Sequence, residues 1–310
     1  MLYLGIDLGG TRIKMGLYHN EKIVSSRILR VGTNVSLQAQ LPLIDEVIEE
    51  MLKESDRFNL DGIAMAFPGL VNPEQKKVLG VNEKYEDANS MNLESYYRSK
   101  WNTSFYIDND ARMAAVGEWQ YGAGRDTDDL VMVTLGTGVG TAVVMEGKLL
   151  RGRHFQAGCL GGHFVVNYKG NPCNCGNIGC LEAEAATWNL EAQVREHPNF
   201  TQSKLFKSIK IDFDILFTTA LAGDQVAIEV RDHCLNIWAA GVISFIHAYD
   251  PEVVILGGGI LKSAEVIIPF IQEKVKKQAW TPWGDVLIRR SELQDQAAIR
   301  GAIYCLQNNI

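Results

Sequence analysis

The sequence predicts an α/β protein built from two lobes, and three observations carry that prediction. Strand, glycine turn and strand follow one another in LYLGIDLGGTRIKMGLY, and the same layout returns far downstream in LVMVTLGTGVGTAVVMEG. Short apolar runs alternate along the chain with stretches of helical periodicity, the pattern that layered α/β folds produce. A further apolar run, PEVVILGGG, reads as a buried strand that ends in consecutive glycines. Two glycine hairpins of like layout point to two halves of like design.

Taken in order, Leu4, Ile6 and Leu8 and then Ile13, Met15 and Leu17 alternate, so Leu2–Tyr18 reads as two short strands about a glycine turn. Ile23–Leu29 can add a third strand. From Leu37 to Leu52 the apolar residues fall at helical spacing, with Pro42 expected in the first turn, where proline is tolerated. Gly62–Phe67 reads as a buried strand stopped by Pro68-Gly69, and Ser104–Ile107 as another strand before a helix that opens at Asp110. Gln225–Tyr249 is one long helical pattern with Asp224 as its N-cap. The final helix, about Asp295–Leu306, carries Ala298, Gly301, Ala302 and Cys305, small enough for close packing. Trp280, Pro282 and Trp283 suit either a partner surface or a core corner, and the corner is the preferred reading.

With 310 residues, 46% apolar and 22% charged, the chain can bury a large core without staples. That excludes disulfide scaffolds and intrinsic disorder. The net charge of −7, with no long basic run, argues against a nucleic-acid partner. No apolar stretch reaches the ~18 residues of a membrane span. MLYLGIDLGG lacks the basic start and cleavage site of a secretory signal, so a cytoplasmic location is expected.

Glycine-rich turns let backbone N–H groups converge on an anion, and glycine takes positive φ freely. Gly9, Gly10 and Thr11 would form one cradle; Gly136, Thr137, Gly138 and Gly140 would form another. Either alone is as readily a plain tight turn. Neither matches GxxxxGK[ST], and each runs into a strand, which excludes the P-loop and the dinucleotide fingerprint. Gly257, Gly258 and Gly259 could admit an adenine ring against backbone. The three together indicate nucleotide binding. Asp7, just before the first turn, suits a Mg²⁺ held between carboxylate and phosphate, or equally a turn former.

Six cysteines raise the question of disulfides, but Cys173, Cys175 and Cys180 cluster while Cys159, Cys234 and Cys305 are scattered. With His163 the cluster reads H-x9-C-x-C-x4-C, a complete tetrahedral set for Zn²⁺ that leaves no open position for water. The implied role is structural; redox sensing is the minor competitor. Cys234 and Cys305 fall in apolar helical patterns and read as buried hydrophobes.

DLGGTRIK, IDNDARMAA, LGTGVG and GGH followed by CNCGNIGCLE resemble the ROK family of sugar kinases and related repressors, over essentially the whole chain. The resemblance implies a two-lobed actin-like ATPase (ribonuclease H-like) fold with a zinc-bound loop. A small α/β lobe, residues 1–117, would be completed by the C-terminal helix, 295–310, and a large α/β lobe, 118–294, would carry the zinc loop. It makes Asp7, Gly9, Gly10, Thr11 and Lys14 the first ATP phosphate motif, Gly136, Thr137 and Gly138 the second, and Gly257–Gly259 the adenosine motif. Asp110 matches the catalytic carboxylate. Pro68, Gly69, Asn82, Asn109, His163 and Glu182 match sugar contacts, His163 serving zinc as well. A homodimer is the common assembly in such a family.

Phosphoryl transfer to an alcohol rests on positioning and charge stabilisation, with a carboxylate orienting the hydroxyl and taking its proton. The dipole of the helix behind Asp110 favours an ionised, weakly basic carboxylate, and without the surrounding pattern a plain N-cap would be the better reading. Two departures fall on the sugar side. The family's Glu three residues before the zinc histidine is replaced by Leu160, or by Cys159 if AGCLGGH holds one extra residue, and Arg112 replaces a small polar residue. The expected function is therefore an ATP- and Mg²⁺-dependent sugar kinase, a phosphotransferase acting on an alcohol group of a hexose or its derivative. The alternative is a catalytically weak sugar-binding regulator of the same family, although the chain enters its first strand at Leu2 with no room for a helix-turn-helix. A chaperone or filament ATPase is a third reading, disfavoured by the zinc loop.

Overall fold

A computed structural model describes residues 1–32, 36–56, 59–81 and 84–310. In chain order, the elements up to residue 125 are β1 (Leu2–Leu8), β2 (Arg12–His19), β3 (Lys22–Arg30), α1 (Leu37–Glu54), β4 (Gly62–Phe67), β5 (Gly69–Asn72), β6 (Lys77–Val81), α2 (Leu93–Trp101), β7 (Ser104–Asn109) and α3 (Asp110–Tyr121). The strands that follow are β8 (Leu130–Leu135), β9 (Val139–Met145), β10 (Lys148–Leu149), β11 (Val253–Gly257) and β12 (Leu287–Arg290). The later helices are α4 (Leu181–Ala185), α5 (Thr187–Arg195), α6 (Phe213–Leu221), α7 (Gln225–Tyr249), α8 (Ala264–Gln278) and α9 (Ala297–Asn308). The chain divides into two compact units. The first comprises Met1–Arg125, Arg151–Ala157 and Glu292–Ile310; the second comprises Asp126–Leu150 and Gly158–Ser291.

The first unit has a five-stranded sheet in the order β3-β2-β1-β4-β7, antiparallel across β3, β2 and β1 and parallel across β1, β4 and β7. All of β4 is buried, as expected of a strand covered on both faces. Leu41, Ile44 and Ile48 of α1 share one core with Leu4, Ile6, Leu8 and Ile63. On α9 the side chains of Ile299 and Leu306 lie where a Cβ on Gly5 or Gly62 would stand, at 2.5 and 2.4 Å, so glycine in the strands is what lets that helix approach. Ser36 caps α1 by accepting from Ala39 N at 3.2 Å, which places Pro42 in the second turn rather than the first. The ring tolerates this because the carbonyl it leaves unpaired belongs to exposed Gln38.

Helix α9 begins at Ala297, after a short 3₁₀ turn over Gln294–Gln296, and packs against α3. A Cβ on Gly301 would stand 1.8 Å from the carbonyl oxygen of Met113, and one on Gly117 would stand 2.1 Å from that of Ala297. No rotamer change relieves a clash with backbone. Gly301→Ala should therefore cost about 3 kcal/mol through overpacking, more than the ~1 kcal/mol of helix propensity it gains. Urea denaturation reads the difference, and a variant as stable as the parent would refute so close a contact.

The second unit repeats the plan: β10-β9-β8-β11-β12, antiparallel across β10, β9 and β8 and parallel across β8, β11 and β12. Its core gathers around α7, where Trp238 and Phe245 are buried among Leu181, Leu216 and Ile271. Asp224 caps α7, accepting from Ala227 N at 3.0 Å. Cys234 and Cys305 are fully buried. The expected tryptophan corner is not there: Trp280 and Trp283 are 78% and 62% exposed. The segment that joins α8 to β12 runs over the surface, and the buried Val275 and Val286 close the core without the two rings. Among the described residues no helix is long and apolar enough to cross a membrane.

Candidate functional site

In the first unit the β1–β2 connection is a tight turn closed by Gly9 N donating to Arg12 O at 2.9 Å. Gly9, Gly10, Gly136, Gly138 and Gly140 are not among the residues of positive φ, which corrects the reason for glycine there. Room is the reason at Gly9, where a Cβ would stand 2.6 Å from the Arg12 carbonyl, and at Gly138, where it would meet Glu182, whereas Gly136 has open space. Asp7, one residue before the end of β1, is half-buried, and Lys14 across the hairpin lies 3.3 Å from it. Lys14 also reaches Asp295 at 2.9 Å, so its charge is engaged by two carboxylates. Burial pushes the Asp7 carboxyl up, and Lys14 offsets part of the rise. Two residues that periodicity did not single out brace the turn: Tyr85 donates to Gly9 O at 3.1 Å, and the Lys84 ammonium donates to Gly10 O.

At the β7–α3 junction Asn109 caps the helix through Arg112 N at 3.1 Å. Its amide donates both to Gly69 O at 3.1 Å and to Asp110 Oδ1 at 3.0 Å, tying the Pro68–Gly69 loop to the candidate base. Asp110 Oδ1 also accepts from Ala111 N at 2.8 Å. Burial, with the nearby Asp7 charge second, pushes the carboxyl up to about 7. The expectation of an ionised, weakly basic group is thus corrected: desolvation outweighs the helix dipole.

Beneath this pair lies an ionic cluster. Buried Asp108 meets Arg112 at 3.3 Å and Arg151 at 3.0 Å, and its Oδ1 accepts from Asn109 N at 2.7 Å. Arg112 is fully buried and donates to the carbonyls of Phe155 and Ala157 at 2.8 and 3.1 Å. The four-residue spacing of Asp108 and Arg112 was the available sequence signal for the pair. Glu118, also fully buried, accepts from the backbone of Ala123, Glu292 and Leu293 and so ties α3 to the segment before α9.

In the second unit the β8–β9 turn closes with Gly136 N donating to Gly138 O at 3.0 Å. The first residues of α5 hold its outer face, Thr187 N donating to Gly136 O and Trp188 N to Thr137 O. Glu182 accepts from Val139 N at 2.8 Å, which leads from the cysteine loop to this turn. Gly258 has a φ of 91°, and a Cβ there would stand 2.2 Å from Leu135 O, so only glycine fits beside the strand that leads into the turn.

The donor atoms of His163, Cys173, Cys175 and Cys180 all lie within 4.8 Å of one another. Cys173 Sγ is 3.6 Å from His163 Nδ1, and Cys175 Sγ is 3.7 Å from Cys180 Sγ. A tetrahedron with metal–sulfur bonds of ~2.3 Å has edges near 3.8 Å, so the set fits Zn²⁺. Leu160, half-buried, and buried Cys159 lead into the turn that holds His163 and offer no carboxylate. Asn82 lies outside the described residues.

The two five-stranded sheets of like order, with the glycine turns, are those of the actin-like ATPase fold, and the Cys₃His set is one that could hold a metal ion. A ROK family match covers residues 3–309, and the chain belongs to that family. It is 32% identical to a glucokinase of Thermotoga maritima over 313 residues, covering 99% of this chain and 98% of that one. It is 27% identical to a xylose repressor of Caldicellulosiruptor bescii, over 97% of this chain and 76% of the repressor. The crystal structure of a ROK family glucokinase from Streptomyces griseus, in complex with glucose and AMPPNP, superposes with a TM-score of 0.84 at 24% identity, covering 99% of this chain and all of that one.

Proposed function

We propose that the protein is an ATP- and Mg²⁺-dependent sugar kinase that phosphorylates a hydroxyl of a hexose or hexose derivative, with Asp110 as general base. The observation that carries the reading is the state of Asp110. Its carboxyl is held at the start of α3 by Asn109 and Ala111 N, and burial pushes it up to about 7. A base with that pKa is matched to proton transfer at neutral pH.

In the reaction the sugar hydroxyl oxygen forms the new bond to the γ-phosphorus while its proton passes to Asp110. The bond from that phosphorus to the bridging oxygen breaks, and the electron pair leaves with ADP. Asn109 orients the base and the Pro68–Gly69 loop together. Gly9–Thr11 and Gly136–Gly138 serve the phosphates and Gly257–Gly259 the adenosine. Asp7, its carboxyl raised by burial and close enough to Asp110 to raise that group too, suits a divalent cation that relieves both charges. Mg²⁺, when bound there, supplies neutralisation of the phosphate charge. Zn²⁺ on His163, Cys173, Cys175 and Cys180, when bound, supplies a cross-link of the loop. A homodimer belongs to the reading, supported by the exposed Trp280 and Trp283, and light scattering tests it.

The test is ADP release with Mg²⁺-ATP across hexoses, amino sugars, N-acetyl sugars and ketoses, for the parent and Asp110→Asn. Sugar-dependent turnover that the variant loses is expected, and the preferred sugar will show what Leu160 selects. ATP hydrolysis indifferent to sugar would favour another class of ATPase. Sugar binding without turnover would favour a catalytically weak regulator, a reading supported by the missing carboxylate before His163 and by the repressor relatives.

A further inference from the structure

The first glycine turn has a cation that its own hairpin does not provide. Lys14, the hairpin's lysine, is occupied by Asp7 and Asp295. Lys84 arrives from a different part of the chain, after β6, and among the described residues makes no ion pair. Its ammonium instead donates to a neutral group, Gly10 O. Its side chain covers Gly10, where a Cβ would stand 3.5 Å from Nζ and 3.7 Å from Cδ.

The next residue shows that this approach is built. Tyr85 is buried with a φ of 60°, a left-handed conformation that a bulky residue adopts only when its surroundings enforce it. Its hydroxyl is fastened to Gly9 O at 3.1 Å. The Asp7 charge acts on both Tyr85 and Asp110, so turn, base and brace share one neighbourhood within the first unit. On the kinase reading, a phosphate received by this turn would stand near the base. Gly10 O is a weak partner for an ammonium, and a phosphate oxygen, being charged, is a stronger one.

We infer that Lys84 is a ligand of the transferred γ-phosphate, exchanging the Gly10 carbonyl for a phosphate oxygen when ATP binds. The inference rests on the kinase reading and adds to it a residue that stabilises charge on the three oxygens of the moving phosphoryl group. Those bonds form and break as already described, and Lys84 keeps its protons throughout. Its contribution belongs to ATP and not to ADP, because the γ-phosphate is what it touches.

The experiment is calorimetric titration, with Mg²⁺ present, of a nonhydrolysable ATP analogue, ADP and AMP into the parent, Lys84→Met, Lys84→Arg and Tyr85→Phe, beside steady-state turnover. Lys84→Met should lose about tenfold or more in affinity for the analogue while its affinities for ADP and AMP stay unchanged. It should lose on the order of a hundredfold in kcat, with arginine restoring part of both. Tyr85→Phe loosens the turn without removing a charge and should weaken analogue and ADP alike. Equal losses for analogue and ADP in Lys84→Met would overturn the inference by making the lysine a brace, and unchanged analogue binding would overturn it outright. A parent protein that binds analogue but transfers nothing to any sugar would sink the kinase reading instead. One that binds no nucleotide would sink both.

Discussion

Asp110→Asn should lower kcat by about a hundred- to ten-thousand-fold and, above pH 7, raise the melting temperature. Asparagine keeps the oxygen that accepts from Ala111 N and Asn109 but can take no proton from a hydroxyl. In the parent, kcat/KM should climb with pH through about 7 as Asp110 loses its proton and then level off. The stability effect has the opposite sign. A carboxyl whose pKa rises on folding binds more protons folded than unfolded between its two pKa values, so stability falls as pH climbs from about 4 to about 7. The penalty is complete above that range, and the variant escapes it. Removing a negative charge from a helix N-terminus ordinarily costs ~0.3–1 kcal/mol. The upward pKa shows that here burial dominates. A pH–rate profile flat across 6 to 8, or a variant less stable than the parent at pH 8, would contradict the assignment.

Stripping the metal should have the largest effect on stability. Around the ligands of the loop from His163 to Cys180 the apolar packing is a small cluster of Cys173, Cys180 and Ala183, with Trp188 against it. Structural zinc contributes ~10–16 kcal/mol of apparent binding free energy in small metallo-domains, and loss of even part of that in the second unit lowers Tm by about 10 °C or more. Cys175 is exposed, so a chelator could reach a metal held there. The damage should spread, because Glu182, two residues past Cys180, holds Val139 N in the β8–β9 turn. Elemental analysis of purified protein should return one zinc per chain. Cys180→Ser should lose it together with the thermal stability. Protein that purifies without metal and melts unchanged after chelation would refute a structural centre.

The glycine hairpins were legible because strand alternation and turn chemistry agree at both places, and α7 because a capping aspartate precedes an unbroken helical period. The ROK motifs were legible as strings of residue types, the cysteine loop above all. Other features were hidden because periodicity reports apolar faces and is silent about buried polar groups. Glu118 and Arg112 look like surface residues of a helix until α9 and the 151–157 segment are placed beside them. The tryptophans misled for the converse reason, since apolar bulk beside a proline reads as core whether or not any layer lies above it. The pKa of Asp110 needed three dimensions, because a dipole can be read along the chain and desolvation cannot. Lys84 and Tyr85 gave no signal at all: their partners lie 74 and 76 residues earlier in the chain.

The first unit is assembled from three pieces, residues 1–125, 151–157 and 292–310, and α9 is in the last of them. During synthesis the sheet of β1 and β4 leaves the ribosome with its glycine-lined face uncovered, because Ile299 and Leu306 do not yet exist. At ~5–20 residues per second the wait for them lasts roughly ten to thirty seconds, while the second unit is being made. Through that interval α3 rests on β4 and β7 alone, and the face that carries Glu118 and Gly117 lacks its α9 partner. The first unit thus closes only when α9 arrives, although every strand of its sheet is made before residue 110.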